Sequence, residues 1–330
     1  MHRCLELAAL GAGRVAPNPM VGAVLVHNQR ILGEGYHRQY GQPHAEVNCL
    51  AAVQPADQHL MEQATMYVSL EPCAHFGKTP PCADLILQHR IPRVVIACRD
   101  PFPAVDGKGM EKLKAGGVEV VTGVMEKEGR FLNRRFFHFH EKKRPWVILK
   151  WAQSANGCVA EANRQPMRIS HPLTDRLVHR WRSEEAAIAI GSHTAGIDNP
   201  SLTTRLWPGK NPTRVVFDRS GTLEKKGNLF SAEAPTLVLE GPACDPLAAM
   251  EELYRQRILS ILVEGGPLLQ QSFIDAGCWD EIRIITNQEM VVPEGYAAPQ
   301  VRTGHLWKQE IIGTDRIEYY HAAENILPEH

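Results

Sequence analysis

The chain has 330 residues, 44% of them apolar and 22% charged, with 36 basic and 37 acidic side chains for a net charge of −1. Such a composition excludes disorder and collagen-like repeats, and a near-neutral balance gives no overall field to draw the molecule onto nucleic acid or an anionic membrane. At roughly 150 residues per domain the length predicts two domains, each large enough for its own core.

Met1 to Leu10 has a helix-like pattern carrying Arg3 and Glu6, and is not read as a targeting segment. Val21 to His27 and Ile31 to Tyr36, separated by Asn28-Gln29, read as a hairpin. His44 to Val53 is predicted helical, Thr65 to Leu70 a strand, Ala83 to His89 a helix, and Val94 to Cys98 a strand. Met110 to Ala115 then forms a helix closed by Gly116-Gly117, and Val118 to Thr122 a strand. From Glu126 one charged helix is expected to run through Phe131 to Phe139, apolar enough to suggest a domain or subunit contact. Glu141-Lys-Lys-Arg144 before Pro145 reads as a solvated linker, which puts the domains at residues 1–143 and 144–330.

The second half repeats the rhythm. Strands are predicted at Trp146 to Lys150, Ala186 to Ile190, Arg214 to Asp218, Thr236 to Glu240, Ser260 to Val263 and Glu281 to Thr286. Helices are predicted at Leu173 to Arg182, Pro246 to Arg257 and Pro267 to Ala276, while the segment from Pro293 shows no clear pattern. Strands alternating with helices place both halves in the α/β class. No run approaches the roughly 20 apolar residues that span a bilayer. Eight scattered cysteines in a chain of this length read as reduced thiols in a cytoplasmic protein.

His44-Ala45-Glu46 opens a predicted helix, Glu71-Pro72-Cys73 follows a strand, and Cys82 precedes the next helix. One imidazole and two thiolates are the ligands zinc prefers, and three of them leave the fourth tetrahedral position open, as catalysis requires. Zinc there would make water a nucleophile at neutral pH, and Glu46, two residues from a ligand, would carry its proton to a leaving amine. His-x-Glu followed by Pro-Cys marks zinc nucleobase deaminases, although eight residues rather than two separate the cysteines here.

Asn18-Pro19, His44-Ala45-Glu46 and the run Glu71-Pro-Cys-Ala-His-Phe-Gly-Lys-Thr-Pro-Pro-Cys82 closely resemble the deaminase half of the bifunctional deaminase/reductase family of riboflavin biosynthesis. The resemblance implies a cytidine-deaminase-like three-layer α/β domain that removes an exocyclic amine from a phosphoribosylaminopyrimidine. It also implies one zinc per chain on His44, Cys73 and Cys82, Glu46 as proton shuttle, and Asn18, His75 and Lys78 at the substrate. Asp100-Pro-Phe-Pro103 and Gly107-Lys-Gly109 fit the family's pattern, except that Phe102 stands where Asn is usual.

Residues 145–330 hold no Gly-x-Gly-x-x-Gly, so a Rossmann site is not supported. Gly191-Ser-His-Thr194 and Glu264-Gly-Gly-Pro267 each follow a strand, where small residues let backbone N–H groups approach an anion. In order with Lys150-Trp-Ala-Gln-Ser154, Arg182, Asp198-Asn-Pro-Ser-Leu202, Arg205 and Asp218, these resemble the family's reductase half, a dihydrofolate-reductase-like domain using NADPH. That resemblance implies Ala152, Arg168, Thr194, Asp198 and Gly266 at the cofactor, and Arg182, Leu202, Arg205 and Glu264 at the substrate. It departs at Asn156, where Asp is usual, and at Arg168, where a cofactor-stacking Trp is common. The expected activity is zinc-dependent deamination followed by NADPH reduction of the ribosyl chain to ribityl, on small-molecule substrates. The rivals are an active deaminase joined to a non-catalytic nucleotide-binding module, or a nucleic-acid deaminase, which would need a basic aromatic channel that Lys78 alone does not supply.

Overall fold

A computed structural model describes residues 1–74, 80–103, 105–163 and 167–322. The chain divides into two compact units that part between Lys142 and Lys143.

The first unit is built on five strands: β1 (Gly22–His27), β2 (Arg30–Tyr36), β3 (Thr65–Leu70), β4 (Arg93–Cys98) and β5 (Glu119–Thr122), in the spatial order β2-β1-β3-β4-β5. β2, β1 and β3 are antiparallel, whereas β3, β4 and β5 run parallel. Its helices are α1 (His2–Ala9), α2 (Ala45–Ala51), α3 (Cys82–Gln88), α4 (Lys108–Ala115), α5 (Glu126–Leu132) and α6 (Arg134–Lys142). Alternation along β1 sorts them into layers. Ala23 and Leu25 join Cys49, Ala83, Ile86 and Leu113 under α2, α3 and α4, while Val24 and Val26 face Cys4 and Leu7 of α1 on the other side.

The α2 contact is unusually close because β2 carries Gly33 and Gly35. A Cβ on Gly35 would stand 2.3 Å from the Cys49 nitrogen, and one on Gly33 2.4 Å from the Cys49 oxygen. Two glycines thus seat the helix that carries His44 and Glu46 directly on the sheet.

The single helix expected from Glu126 is in fact two, broken at Asn133. Its buried amide accepts the Met20 N–H and donates to the Met20 carbonyl, each at 2.8 Å. Those paired bonds offset the interrupted helix ladder and pin the segment after Asn18-Pro19. Phe136, Phe137 and Phe139 are buried within the single chain, which accounts for the apolarity of this stretch.

The second unit carries an eight-stranded sheet in the order β10-β9-β8-β11-β6-β12-β15-β14. These are β6 (Trp146–Gln153), β8 (Ala187–Gly191), β9 (Thr213–Asp218), β10 (Thr236–Glu240), β11 (Ser260–Gly265), β12 (Glu281–Asn287), β14 (His305–Ile312) and β15 (Asp315–His321). β7 (Cys158–Glu161) and β13 (Gly295–Ala297) form a separate pair. β10 through β12 are parallel; β15 and β14 close one edge as an antiparallel hairpin. Ala187, Ala189, Val215, Phe217, Ile261 and Val263 face the main core, to which α9 (Pro246–Arg255) and α10 (Pro267–Asp275) contribute Leu253 and Phe273. Ile188, Ile190 and Val216 face the opposite way, against Leu202, Leu229 and Ala195 of α8 (Ser192–Asp198). The remaining helix, α7 (Pro172–Glu184), lies between β7 and β8 in the chain.

Five elements escaped the sequence reading: α8, β7, its partner β13, and the β14–β15 hairpin. α8 is short and carries Gly196, and β7 spans four residues, so neither shows a full period. The β14–β15 hairpin hides because β15 buries Asp315 and His321 on the same side as Ile317 and Tyr319.

Candidate active sites

In the first unit His44 caps α2, Cys73 follows β3, and Cys82 is the first residue of α3. The His44 Nδ1 lies 3.6 Å from the Cys73 Sγ and 3.4 Å from the Cys82 Sγ, and all three ligand atoms fall within 4.8 Å of one another. This is one nitrogen and two sulfurs converging on a point, the donor set that suits zinc. A hydrogen bond from the Cys82 thiol, with others from His44 and the Cys82 N–H, holds the Cys73 thiol well below its ordinary range despite burial.

Glu46 sits in the first turn of α2 and is only 3% exposed. Burial, reinforced by Cys73, pushes its carboxyl up to about 7. A group titrating near neutrality can both accept and return a proton at working pH.

Asn18, read as a substrate residue, is oriented by a histidine that the sequence reading passed over. His37 Nδ1 lies 3.1 Å from the Pro43 carbonyl and its Nε2 lies 3.2 Å from the Asn18 Nδ2. Because a carbonyl can only accept, Nδ1 carries the proton and Nε2 accepts from the Asn18 amide. The Asn18 oxygen is thereby left for another donor. His75 and Lys78 lie outside the described residues.

Glu71 was also passed over, although it directly precedes Pro72-Cys73. Its buried carboxylate accepts four backbone N–H groups, from Gly107 and Gly109 at 3.0 Å, Asp100 at 3.2 Å and Met110 at 3.3 Å. One carboxylate therefore ties the segment between β3 and Cys73 to Asp100 and to the start of α4. Gly109 is required at this junction, since a Cβ there would stand 1.9 Å from the Pro72 oxygen. The signal available in the sequence was an acidic residue ending an apolar strand. Phe102, in the same loop, packs edge-on against His140 with ring centroids 5.3 Å apart.

In the second unit the residues of interest gather at the carboxyl ends of parallel strands, where open α/β sheets bind ligands. Glu264, near the end of β11, accepts from the Arg182 Nε and Nη2, both at 2.8 Å, and its carboxylate lies 3.6 Å from the Lys150 Nζ on β6. Burial alone would raise the Glu264 carboxyl, but Arg182 and Lys150 outweigh it and hold the group at about 2. The Arg182 Nη1 donates to the Thr203 carbonyl at 3.1 Å, beside Leu202. Arg182, Glu264 and Leu202 thus come together, with the Arg182 fork on Glu264, while Arg205 is exposed. Burial, followed by the positive charges of Arg182 and Arg205, pushes His179 down to about 4.

Thr194 and Gly266 also meet. A Cβ on Gly266 would stand 2.7 Å from the Thr194 Oγ1, so the glycine is needed for the β11–α10 turn to pass α8. Ala152 lies near the carboxyl end of β6, and Asp198 closes α8. Two departures from the family pattern are absorbed by the protein itself. The Asn156 Oδ1 accepts from Ser154 Oγ at 2.7 Å and from Val292 N at 3.1 Å, and its Nδ2 donates to the Val292 carbonyl at 2.8 Å. Arg168 is exposed and paired with Asp175 at 2.6 Å.

Residues 1–98 match the family model for the cytidine and deoxycytidylate deaminase zinc-binding region, and residues 145–288 that for the RibD C-terminal domain. The riboflavin biosynthesis protein RibD of Aquifex aeolicus is 38% identical over 86% of this chain and 84% of its own. The chain belongs to the RibD family. The RibD of Escherichia coli is 34% identical over 86% of this chain and 85% of its own. A diaminohydroxyphosphoribosylaminopyrimidine deaminase/5-amino-6-(5-phosphoribosylamino)uracil reductase from Thermotoga maritima superposes with a TM-score of 0.90 at 34% identity, covering 98% of this chain and 97% of that one. RibD of Acinetobacter baumannii superposes with a TM-score of 0.87 at 28% identity, covering 98% of each chain. The expected pair of folds, a cytidine-deaminase-like unit followed by a dihydrofolate-reductase-like one, is the pair present, and the chain is a bifunctional deaminase and reductase of riboflavin biosynthesis. Among the described residues no helix is long and apolar enough to cross a membrane.

Proposed function

We propose that the first unit hydrolyses the exocyclic amine of 2,5-diamino-6-(5-phosphoribosylamino)pyrimidin-4(3H)-one to a carbonyl, releasing ammonia. The second unit then reduces the ribosyl side chain to ribityl with NADPH. The observation that carries this reading is the convergence of His44, Cys73 and Cys82 beside the buried Glu46. His44, Cys73 and Cys82 would hold zinc, which when bound supplies the Lewis acidity that makes water nucleophilic at neutral pH. Glu46, buried beside these ligands, takes the proton of that water and delivers it to the departing nitrogen. Asn18, with His37 behind it, presents its amide oxygen to the pyrimidine edge. The same reading assigns His75 and Lys78 to the substrate.

In the second unit Ala152, Thr194, Asp198 and Gly266 line the NADPH site, and NADPH supplies the hydride. Leu202 and Arg205 hold the ribose-phosphate side of the substrate, while Glu264, fixed between Arg182 and Lys150, presents a carboxylate that stays ionised at neutral pH. Asn156 is bonded to Ser154 and Val292, so its departure from the family pattern leaves this turn intact. This favours a working reductase over a silent nucleotide-binding module. The two activities divide at the 143/144 boundary, and the protein works in the cytoplasm on small molecules rather than on nucleic acid.

The test follows ammonia and NADPH separately. Given the diaminopyrimidine, the protein should release ammonia without NADPH and oxidise NADPH only once the deaminated product is present or has formed. NADPH oxidation with no ammonia from the diaminopyrimidine would reverse the order proposed here.

A further inference from the structure

Arg214 lies in the middle of the parallel sheet, on β9, with 0% of its surface exposed. A buried guanidinium costs more than an apolar residue of like volume unless its donors are satisfied, and here none is bonded to a carboxylate. Its Nε donates to the Ser201 carbonyl at 2.9 Å. Its Nη1 donates to the carbonyls of Leu229 at 2.9 Å and of Ser231 and Ala234 at 3.1 Å, and its Nη2 to the Ser231 Oγ at 3.2 Å. The nearest acidic group, the exposed Glu233, stands 3.8 Å away. Backbone dipoles from two separate segments, around residue 201 and over 229–234, thus neutralise one cation.

A second lock joins the same segments. Asn199, left-handed at φ 39° after α8, accepts from the Asn228 N–H and takes the Asn228 side-chain amide on its own carbonyl, both at 2.8 Å. The two locks hold the chain at Asn199 and Ser201, immediately before Leu202, which is left-handed at φ 52°, and Arg205 follows three residues later.

We infer that Arg214 is a positioning residue for the reductase step, holding Leu202 and Arg205 at the substrate through the Ser201 carbonyl and the 229–234 loop. The inference rests on the reading of the second unit as a reductase. Its chemistry is that of a fixed five-donor fork, and a lysine in its place could not reach carbonyls on both segments at once.

The experiment compares the full-length wild type with Arg214→Lys and Asn199→Gly, the glycine keeping the left-handed backbone while removing the side-chain half of the second lock, the bond from the Asn228 N–H. Each preparation is assayed for ammonia release, for NADPH oxidation on pre-deaminated substrate, and for thermal melting. In folded Arg214→Lys the KM for the reductase substrate should rise roughly 10- to 100-fold, the scale that a misplacement of about 1 Å can produce. Asn199→Gly should raise it severalfold, and ammonia turnover should be unchanged in both. A purely structural role would instead lower the melting temperature and leave KM at the wild-type value, which overturns the proposal. If Arg214→Lys fails to fold, Asn199→Gly decides, and an unchanged substrate KM there is equally fatal. Wild-type protein that oxidises no NADPH on the deaminated substrate would defeat the reductase reading itself rather than this inference.

Discussion

In the first unit three metal-type side chains and the buried carboxyl of Glu46 come from two short stretches, 44–46 and 73–82, and lie within one partly buried cluster. In the second, Lys150, Arg182, Thr194, Leu202 and Glu264 come from five places spread over more than a hundred residues, and they meet at the ends of β6, β8 and β11. The first site is held by covalent nearness and one glycine-backed helix. The second is held by charge pairing and by loops. It follows that single substitutions should silence the first site cleanly, whereas in the second they should act through stability and KM together.

The largest effect is expected for Glu46→Gln. Ammonia release should fall on the order of 100-fold or more, since the amide cannot carry the proton. Zinc content and NADPH oxidation on pre-deaminated substrate should hold, and a parallel loss of both activities would show that the two sites are not separable. Cys82→Ser should take zinc from about one per chain toward none, read by metal analysis of the purified protein. Retention of full zinc in that variant would remove Cys82 from the ligand set.

In the second unit Glu264→Gln strands the buried charges of Arg182 and Lys150, at a cost of about 3–5 kcal/mol. The reductase KM should rise with it, and denaturant melts would read the loss. The same group sets an acid limit. Its carboxyl is held at about 2, below the ordinary 4.5. Its contribution to stability is therefore complete above about 4.5 and is lost as pH falls from there through about 2. At ~1.4 kcal/mol per unit it amounts to roughly 3 kcal/mol. Wild type should thus lose stability in that window more steeply than Glu264→Gln; superposable acid melts would contradict the pairing.

A smaller change is expected for Glu71→Gln, which keeps one acceptor oxygen but sets an amide N–H against backbone donors. The cost should be about 1–3 kcal/mol, with weaker zinc retention as the 100–110 loop loosens. Equilibrium unfolding together with chelator competition measures both. Smallest of all is Arg168→Ala, which removes a surface ion pair worth about 0–1 kcal/mol. It should leave the KM for NADPH nearly unchanged, and a large rise would place Arg168 at the cofactor after all.

The convergence of His44, Cys73 and Cys82 beside Glu46 was legible from the sequence because metal coordination demands fixed residue types, and a strand end followed by a helix start fixes their approach. The strands of the first unit and the parallel strands of the second were legible for a similar local reason, since alternation and apolar runs reflect burial directly. What stayed hidden was whatever depends on partners far away in the chain. Asn133 interrupts a helix because Met20 offers both halves of an amide pair, and nothing in the local charge pattern announces it. Glu71 looks like half of a motif until Gly107 and Gly109 bring their N–H groups to it. The arginines of the second unit looked interchangeable, yet Glu264 takes the Arg182 fork and five backbone and hydroxyl acceptors take Arg214. Sequence by itself determined the chemistry of the ligands and the α/β rhythm, because both are set by a residue's own type and near neighbours. Only the tertiary structure decided which charges are spent internally, because the low-dielectric interior forces each buried charge to find its partner wherever the fold supplies one.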